Sequence, residues 1–120
     1  MTTLYGIPNC DTVKKARAWL SAQGLAYQFH DFKKQGVPLD LIDGWIAQLG
    51  WEALLNRQGT TWRKLPDDAK AAVHDAASAK ALMLAQPSAI KRPVVQWPAG
   101  LLTVGFKAET WLHQLGESQP

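Results

Sequence analysis

The residue in this chain most suited to chemistry is Cys10, its only cysteine, in the stretch TLYGIPNCDTVKKARAWL (3–20). It stands between an apolar, β-prone run and a helix-like pattern rich in Lys and Arg. A thiol at a loop-to-helix boundary lies near unpaired backbone N–H groups and the positive end of the helix dipole. Both stabilise thiolate over thiol, and the thiolate is the nucleophile. Lys14 is at i+4 from Cys10, with Lys15 and Arg17 close behind. If Cys10 occupies the first turn, Lys14 lies on its side of the helix. Asp11 acts the other way, because an adjacent carboxylate penalises a second negative charge, unless its side chain caps the helix and points away. The competing reading is a small buried hydrophobe, since free cysteines are among the most buried residues. The flanking Pro8, Asn9 and Asp11 favour the reactive reading, because a core cysteine rarely has such neighbours. With one cysteine the chain forms no internal disulfide, so any adduct on Cys10 must be resolved by an external thiol.

Other chemistries have less support. His30, His74 and His113 fall on three different expected elements and make no metal-ligand pattern, so no metal is expected. Asp11, Asp31, Asp40 and Asp43 have no spacing that asks for a carboxylate pair. The glycines form no phosphate-binding loop. The formal charge is +3, from 13 Lys+Arg against 10 Asp+Glu. The cations come in short clusters, VKKAR, FKK, WRK and IKR, without a nucleic-acid-binding motif, which fits a pocket for a small anion better than nucleic acid. No apolar run approaches the ~20 residues of a membrane span, and the N-terminus lacks signal-peptide character. A cytoplasmic protein is expected, and a lone cysteine suits a reducing compartment.

The elements that must position Cys10 follow from periodicity. With 120 residues, 47% of them hydrophobic, one domain spanning 1–120 is expected. TTLYG (2–6) is a strand. Val13, Ala16 and Leu20 recur at helical spacing from Asp11 onward, and Gly24 is a stop. AYQFHDF (26–32) alternates as a second strand, parallel to the first through a right-handed crossover. KKQGV (33–37) is a loop. PLDLIDGWIAQLG (38–50) is helical, and WEALLN adds a further turn. RQGTTWRKLP is irregular, with Trp62 a candidate for lining a cleft. Residues 66–87 are helical with a break near 75–78. IKRPVVQWP (90–98) and LLTVGF (101–106) form an antiparallel hairpin through the two-residue turn Ala99–Gly100. Residues 107–116 form a last helix, and 117–120 a disordered tail. The order β–α–β, helices, β–β–α gives an α/β chain with one mixed sheet. This is the thioredoxin-like arrangement, with a helical insertion at about 38–87.

LYGIPNCDTVKKARAWL, with ALLNRQG (53–59) and IKRPVV (90–95), closely resembles the ArsC/Spx family of glutaredoxin-type arsenate reductase-like proteins. It is most similar to the reductase-like bacterial branch carrying YGI…CDT.KKA. The resemblance covers about residues 2–116. It implies a thioredoxin-like sheet and a single nucleophilic cysteine, aided by arginines and by glutathione or another thiol as co-substrate. Cys10 matches the nucleophile. Arg92 matches the arginine before the proline held in cis, so Lys91, Arg92 and Pro93 are expected to bend beside Cys10 with a cis Arg92–Pro93 bond. In ALLNRQG, Asn56 takes the place of another family arginine, with Arg57 one position later. Asn9, Lys14, Arg57, Arg92 and Pro93 are the expected binding residues around Cys10.

The chain also departs from the arsenate reductases. Gly6 stands where they have a histidine, and Lys107 is the only cation where they have a third arginine. A lysine is a point charge and lacks the arginine fork that matches an oxyanion. The expectation is therefore a glutathione-dependent thiol reductase rather than an arsenate-specific one. It would act as a monomer on an oxidised small molecule or protein thiol, with no bound cofactor. The alternative is a non-enzymatic, Spx-like protein that contacts RNA polymerase. The Cys-x-x-Cys pair of that branch is absent, because Val13 occupies the second position.

Overall fold

The computed structural model describes residues 2–118, with side chains described to residue 113. The elements run in the order β1 (Thr2–Gly6), α1 (Asp11–Ala22), β2 (Tyr27–Asp31), α2 (Phe32–Gln35), α3 (Leu39–Leu49), α4 (Trp51–Leu54), α5 (Thr60–Arg63), α6 (Asp67–Ala71), α7 (Ala76–Ala85), β3 (Val94–Gln96), β4 (Leu102–Val104) and α8 (Ala108–Ser118). Short 3-10 turns, Pro87–Ala89 and Pro98–Gly100, precede β3 and β4. The chain divides into two units, Met1–Asp31 with Arg92–Pro120, and Phe32–Lys91. The second unit begins and ends a few residues outside the 38–87 expected for the insertion.

The first unit carries one four-stranded sheet of order β2-β1-β3-β4. β1 and β2 are parallel, with Gly6 opposite Asp31. β1 and β3 are antiparallel, with Tyr5 opposite Val94. β3 and β4 are antiparallel, with Val94 opposite Val104. A βαβ unit and a ββα unit sharing this mixed sheet make a thioredoxin-like fold, with the helical segment inserted between them.

Helix α1 forms where the apolar spacing demands it. Val13, Ala16 and Leu20 are its buried residues, and they join Leu4, Val95, Trp97 and Trp111 in one core cluster. Burying each large aliphatic side chain contributes about 1.5–3 kcal/mol. The helix ends at Gly24, whose φ of 69° places it in the left-handed region, while the Leu25 amide returns to the Leu20 carbonyl at 3.0 Å. Trp111 on α8 closes the cluster edge-on to Trp97, with centroids 4.9 Å apart, and to Phe106 at 4.7 Å.

Several boundaries differ from the sequence expectation. Strand β3 is only Val94–Gln96, because Ile90 pairs instead with Leu55 as an isolated bridge and the Lys91 amide donates to the Leu54 carbonyl. The hairpin is antiparallel as expected, but its connection runs 97–101, closed by the Trp97 amide on the Leu101 carbonyl at 2.8 Å. The expected loop at 33–37 begins with the helical turn α2, and the expected irregular stretch contains α5. Helix α8 continues through Ser118, so Glu117 and Ser118 are helical rather than part of a disordered tail; the rest of that expected tail, 119–120, lies outside the described residues.

In the second unit, Ile42 and Trp45 of α3 are buried, and the Trp45 ring lies 6.4 Å from that of Phe32. Helices α6 and α7 are separated at 72–75, and Asp75 caps α7 in a reciprocal capping box with Ser78. Among the described residues, no helix is long and apolar enough to cross a membrane.

Candidate functional site

Cys10 is the N-cap residue of α1, with extended backbone (φ −88°, ψ 126°). It is therefore one position before the first turn, and Asp11 is the acidic residue of that turn. No side chain caps the helix here, so Asp11 is not the cap the sequence allowed for. The Cys10 amide donates to the Ile7 carbonyl at 3.2 Å, which closes the turn through Pro8 and Asn9. Its carbonyl accepts the first intrahelical bond, from the Lys14 amide at 2.9 Å. The side chain is half-buried, packed against the α1–β3–α8 core cluster and still open to solvent. Asn9 and Lys14 are both exposed. A partly exposed thiol at a helix N-terminus is able to attack a small electrophile without unfolding of the chain.

The sheet register brings the IKRPVV motif to the same end. Tyr5 faces Val94, and continuing that register by one residue sets Pro93 beside Gly6, from which the Cys10 loop departs. The Arg92–Pro93 bond is cis, as the resemblance implied. Pro93 is buried and Arg92 half-buried, with its Nε shielded from solvent. The Pro93 carbonyl accepts from the Gly105 amide at 2.9 Å, which brings the segment leading to Lys107 to this end as well. Because β2 is parallel to β1, the buried Asp31 also ends there. Cys10, Arg92–Pro93 and the Gly105–Lys107 segment thus gather at one end of a single sheet.

Arg57 lies in the second unit. It borders a pocket of about 230 Å³ with Glu52, Leu55, Asn56, Gln58 and Lys91. Its guanidinium is 3.9 Å from the Glu52 carboxylate and 5.9 Å from the Trp51 ring centroid. Asn56 Oδ1 accepts from the Gln58 amide at 3.2 Å, so this side chain shapes the turn of the LLNRQG motif. The sequence places Lys91 only in the bend at Pro93, whereas the structure has it line this pocket.

Two features were not legible in the sequence. Arg17, part of the basic cluster behind Cys10, turns to β2: its Nε donates to Tyr27 Oη at 2.9 Å and its guanidinium stacks 4.1 Å from the Phe29 ring centroid. Gly6 packs so closely on α1 that an added Cβ would lie 2.8 Å from Val13 Cγ2. The residue where the arsenate reductases carry a histidine is therefore one with no room for a side chain. Elsewhere on the sheet, His30 behaves as a packing residue, 5.0 Å from the Tyr5 ring, and Tyr5 Oη donates to Gln96 Oε1 at 2.7 Å.

Known proteins are similar to this chain. An uncharacterized protein of Haemophilus influenzae is 36% identical over 111 residues, covering 92% of this chain and 96% of its own. The solution structure of an arsenate reductase (ArsC) related protein from Brucella melitensis is 53% identical with a TM-score of 0.74, covering 95% of this chain and 93% of that one. The global transcriptional regulator Spx of Listeria innocua is 30% identical over 70 residues, covering 57% of this chain and 53% of its own. The model of the ArsC family matches residues 5–114. With the match running from the end of β1 through the Cys10 loop, the helical segment, the cis-proline and most of α8, the chain belongs to the ArsC family.

Proposed function

We propose that this protein is a glutathione-dependent thiol reductase with Cys10 as its single nucleophile. The observation that carries the reading is the half-buried but accessible Cys10 at the N-cap of α1, at the sheet end that also holds cis Arg92–Pro93. The Cys10 thiolate attacks one sulfur of an oxidised substrate, a disulfide or a glutathionylated thiol. The S–S bond breaks, a mixed disulfide forms on Cys10 and the other sulfur leaves as thiolate. A glutathione thiolate then attacks the adduct sulfur, restores the Cys10 thiolate and leaves as disulfide. The chain has no second cysteine to do this. Arg92 and Lys14, in the unit that carries Cys10, are the cations proposed to hold the carboxylates of glutathione, with Asn9 and Pro93 lining its path. Arsenate is disfavoured as substrate, because Gly6 and Lys107 replace two groups that the arsenate reductases use. A reaction closed by a small thiol belongs in the reducing cytoplasm.

The test is incubation of the folded protein with glutathione disulfide and intact-mass measurement. A single glutathione adduct that disappears in Cys10→Ser, together with turnover in a coupled disulfide-reduction assay, supports the reading. No adduct in the wild type overturns it.

The partial match to Spx supports a second reading, a module that binds RNA polymerase. It predicts a stable complex with polymerase that survives Cys10→Ser, which the enzyme reading does not.

A further inference from the structure

We propose that Gly6 is a positioning residue for Cys10: its missing Cβ lets the first turn of α1 seat against the end of β1 and so sets where the thiol sits. The inference rests on the reading of Cys10 as nucleophile. Gly6 is not among the glycines with positive φ, so the backbone at this position is open to any L-residue. What a side chain would meet is Val13, at 2.8 Å from Cγ2 and 3.5 Å from Cγ1.

Val13 has little freedom to yield. It is fully buried in the core cluster, and a β-branched side chain in a helix has essentially one χ1 rotamer. An ordinary carbon–carbon contact needs about 3.5–4.0 Å, so a Cβ at Gly6 drives the two apart by roughly 0.7 Å. That displacement acts directly on Cys10. Val13 lies in the first turn of α1, three residues after Cys10. The loop from Gly6 to Cys10 is closed by the Cys10 amide on the Ile7 carbonyl, and the Cys10 carbonyl is held by the Lys14 amide. The short loop has no slack to absorb the shift, so the thiol moves with the helix.

The experiment compares wild type, Gly6→Ala, Val13→Ala and the double variant. Each is read for melting temperature and for two rates at Cys10, alkylation by iodoacetamide and adduct formation with glutathione disulfide. Displacing a reacting group by 1 Å costs up to about a hundredfold in rate, so Gly6→Ala is expected to slow both reactions about tenfold. The double variant is expected to recover to within about twofold of Val13→Ala alone, since removing the Val13 methyls reopens the space. The rates are compared well below the melting temperature of each variant, so a purely structural role, which lowers only the folded fraction, would leave them unchanged. Should Gly6→Ala fail to fold, Val13→Ile crowds the same contact from the other side and is expected to give the same loss. Unchanged rates in the crowded variants, or a loss that Val13→Ala does not recover, overturn the proposal. A wild type that alkylates but forms no glutathione adduct overturns the reductase reading instead, and the alkylation cycle still decides the role of Gly6.

Discussion

The Arg17 guanidinium stacks on the Phe29 ring at 4.1 Å while its Nε donates to Tyr27 Oη at 2.9 Å. The last cation in the basic run of α1 is therefore bound to β2, and it fastens the helix to the edge strand. A cation–π contact at a half-buried site contributes about 0.5–1 kcal/mol, and the hydrogen bond a similar amount. Arg17→Ala is expected to lower stability by about 1 kcal/mol in urea denaturation, with the alkylation rate of Cys10 within twofold of wild type. A tenfold loss of that rate would instead assign Arg17 a part in the site.

Cys10 occupies an N-cap position with no side-chain cap. Serine is among the best N-cap residues, worth about 0.5–2 kcal/mol over a non-capping side chain. Cys10→Ser is therefore expected to melt at or above the wild-type temperature while losing all glutathione adduct formation. Stability alone favours serine here, which makes a reactive role the better account of the cysteine. A clear drop in melting temperature would show instead that the thiol is needed for packing.

Arg92 and the neutral reagent iodoacetamide separate anion binding from thiol reactivity. A hydrogen bond to a charged partner is worth about 1.5–3 kcal/mol, so Arg92→Ala is expected to slow adduct formation with glutathione disulfide about tenfold or more. Alkylation, which presents no carboxylate, is expected to change less. Arg92→Lys restores charge without the planar fork and is expected to recover only part of the loss. Equal effects on both reagents would sink the anion-binding role.

The α7 capping box makes this segment sensitive to acid. The side-chain and backbone hydrogen bonds from Ser78 hold the Asp75 carboxyl below its ordinary 3.8, with smaller help from His74. A carboxyl depressed in the folded state binds fewer protons than in the unfolded one. Its stabilisation is therefore complete above about pH 4 and is lost as pH falls through the lower folded value. Protection of the first turn of α7 against hydrogen exchange, measured relative to the intrinsic rate, is expected to fall below pH 4 in the wild type. Asp75→Asn keeps a capping oxygen without the titration, so its exchange should follow only the intrinsic pH dependence. An identical acid response in both proteins would remove Asp75 as the cause.

Local pattern was enough to read much of this protein. Helix α1 followed from the spacing of Val13, Ala16 and Leu20 and from Gly24 as a stop, because a 3.6-residue period and a left-handed cap are properties of neighbouring residues. The parallel β1–β2 pair, the antiparallel hairpin and the cis bond at Arg92–Pro93 were equally legible, the first two from connection geometry and the last from a motif. The tertiary structure decided what depends on residues far apart in the chain. Strand β3 shrank to Val94–Gln96 because Ile90 found Leu55. Arg17, close behind Cys10 in sequence, turned to β2 because Tyr27 and Phe29 offered it a hydrogen bond and a ring face. Gly6, which read as a departure from a motif, is a glycine because Val13 Cγ2 occupies the space of its side chain. Periodicity records which face of an element is buried; the atom that will press against it is set only when distant segments pack together.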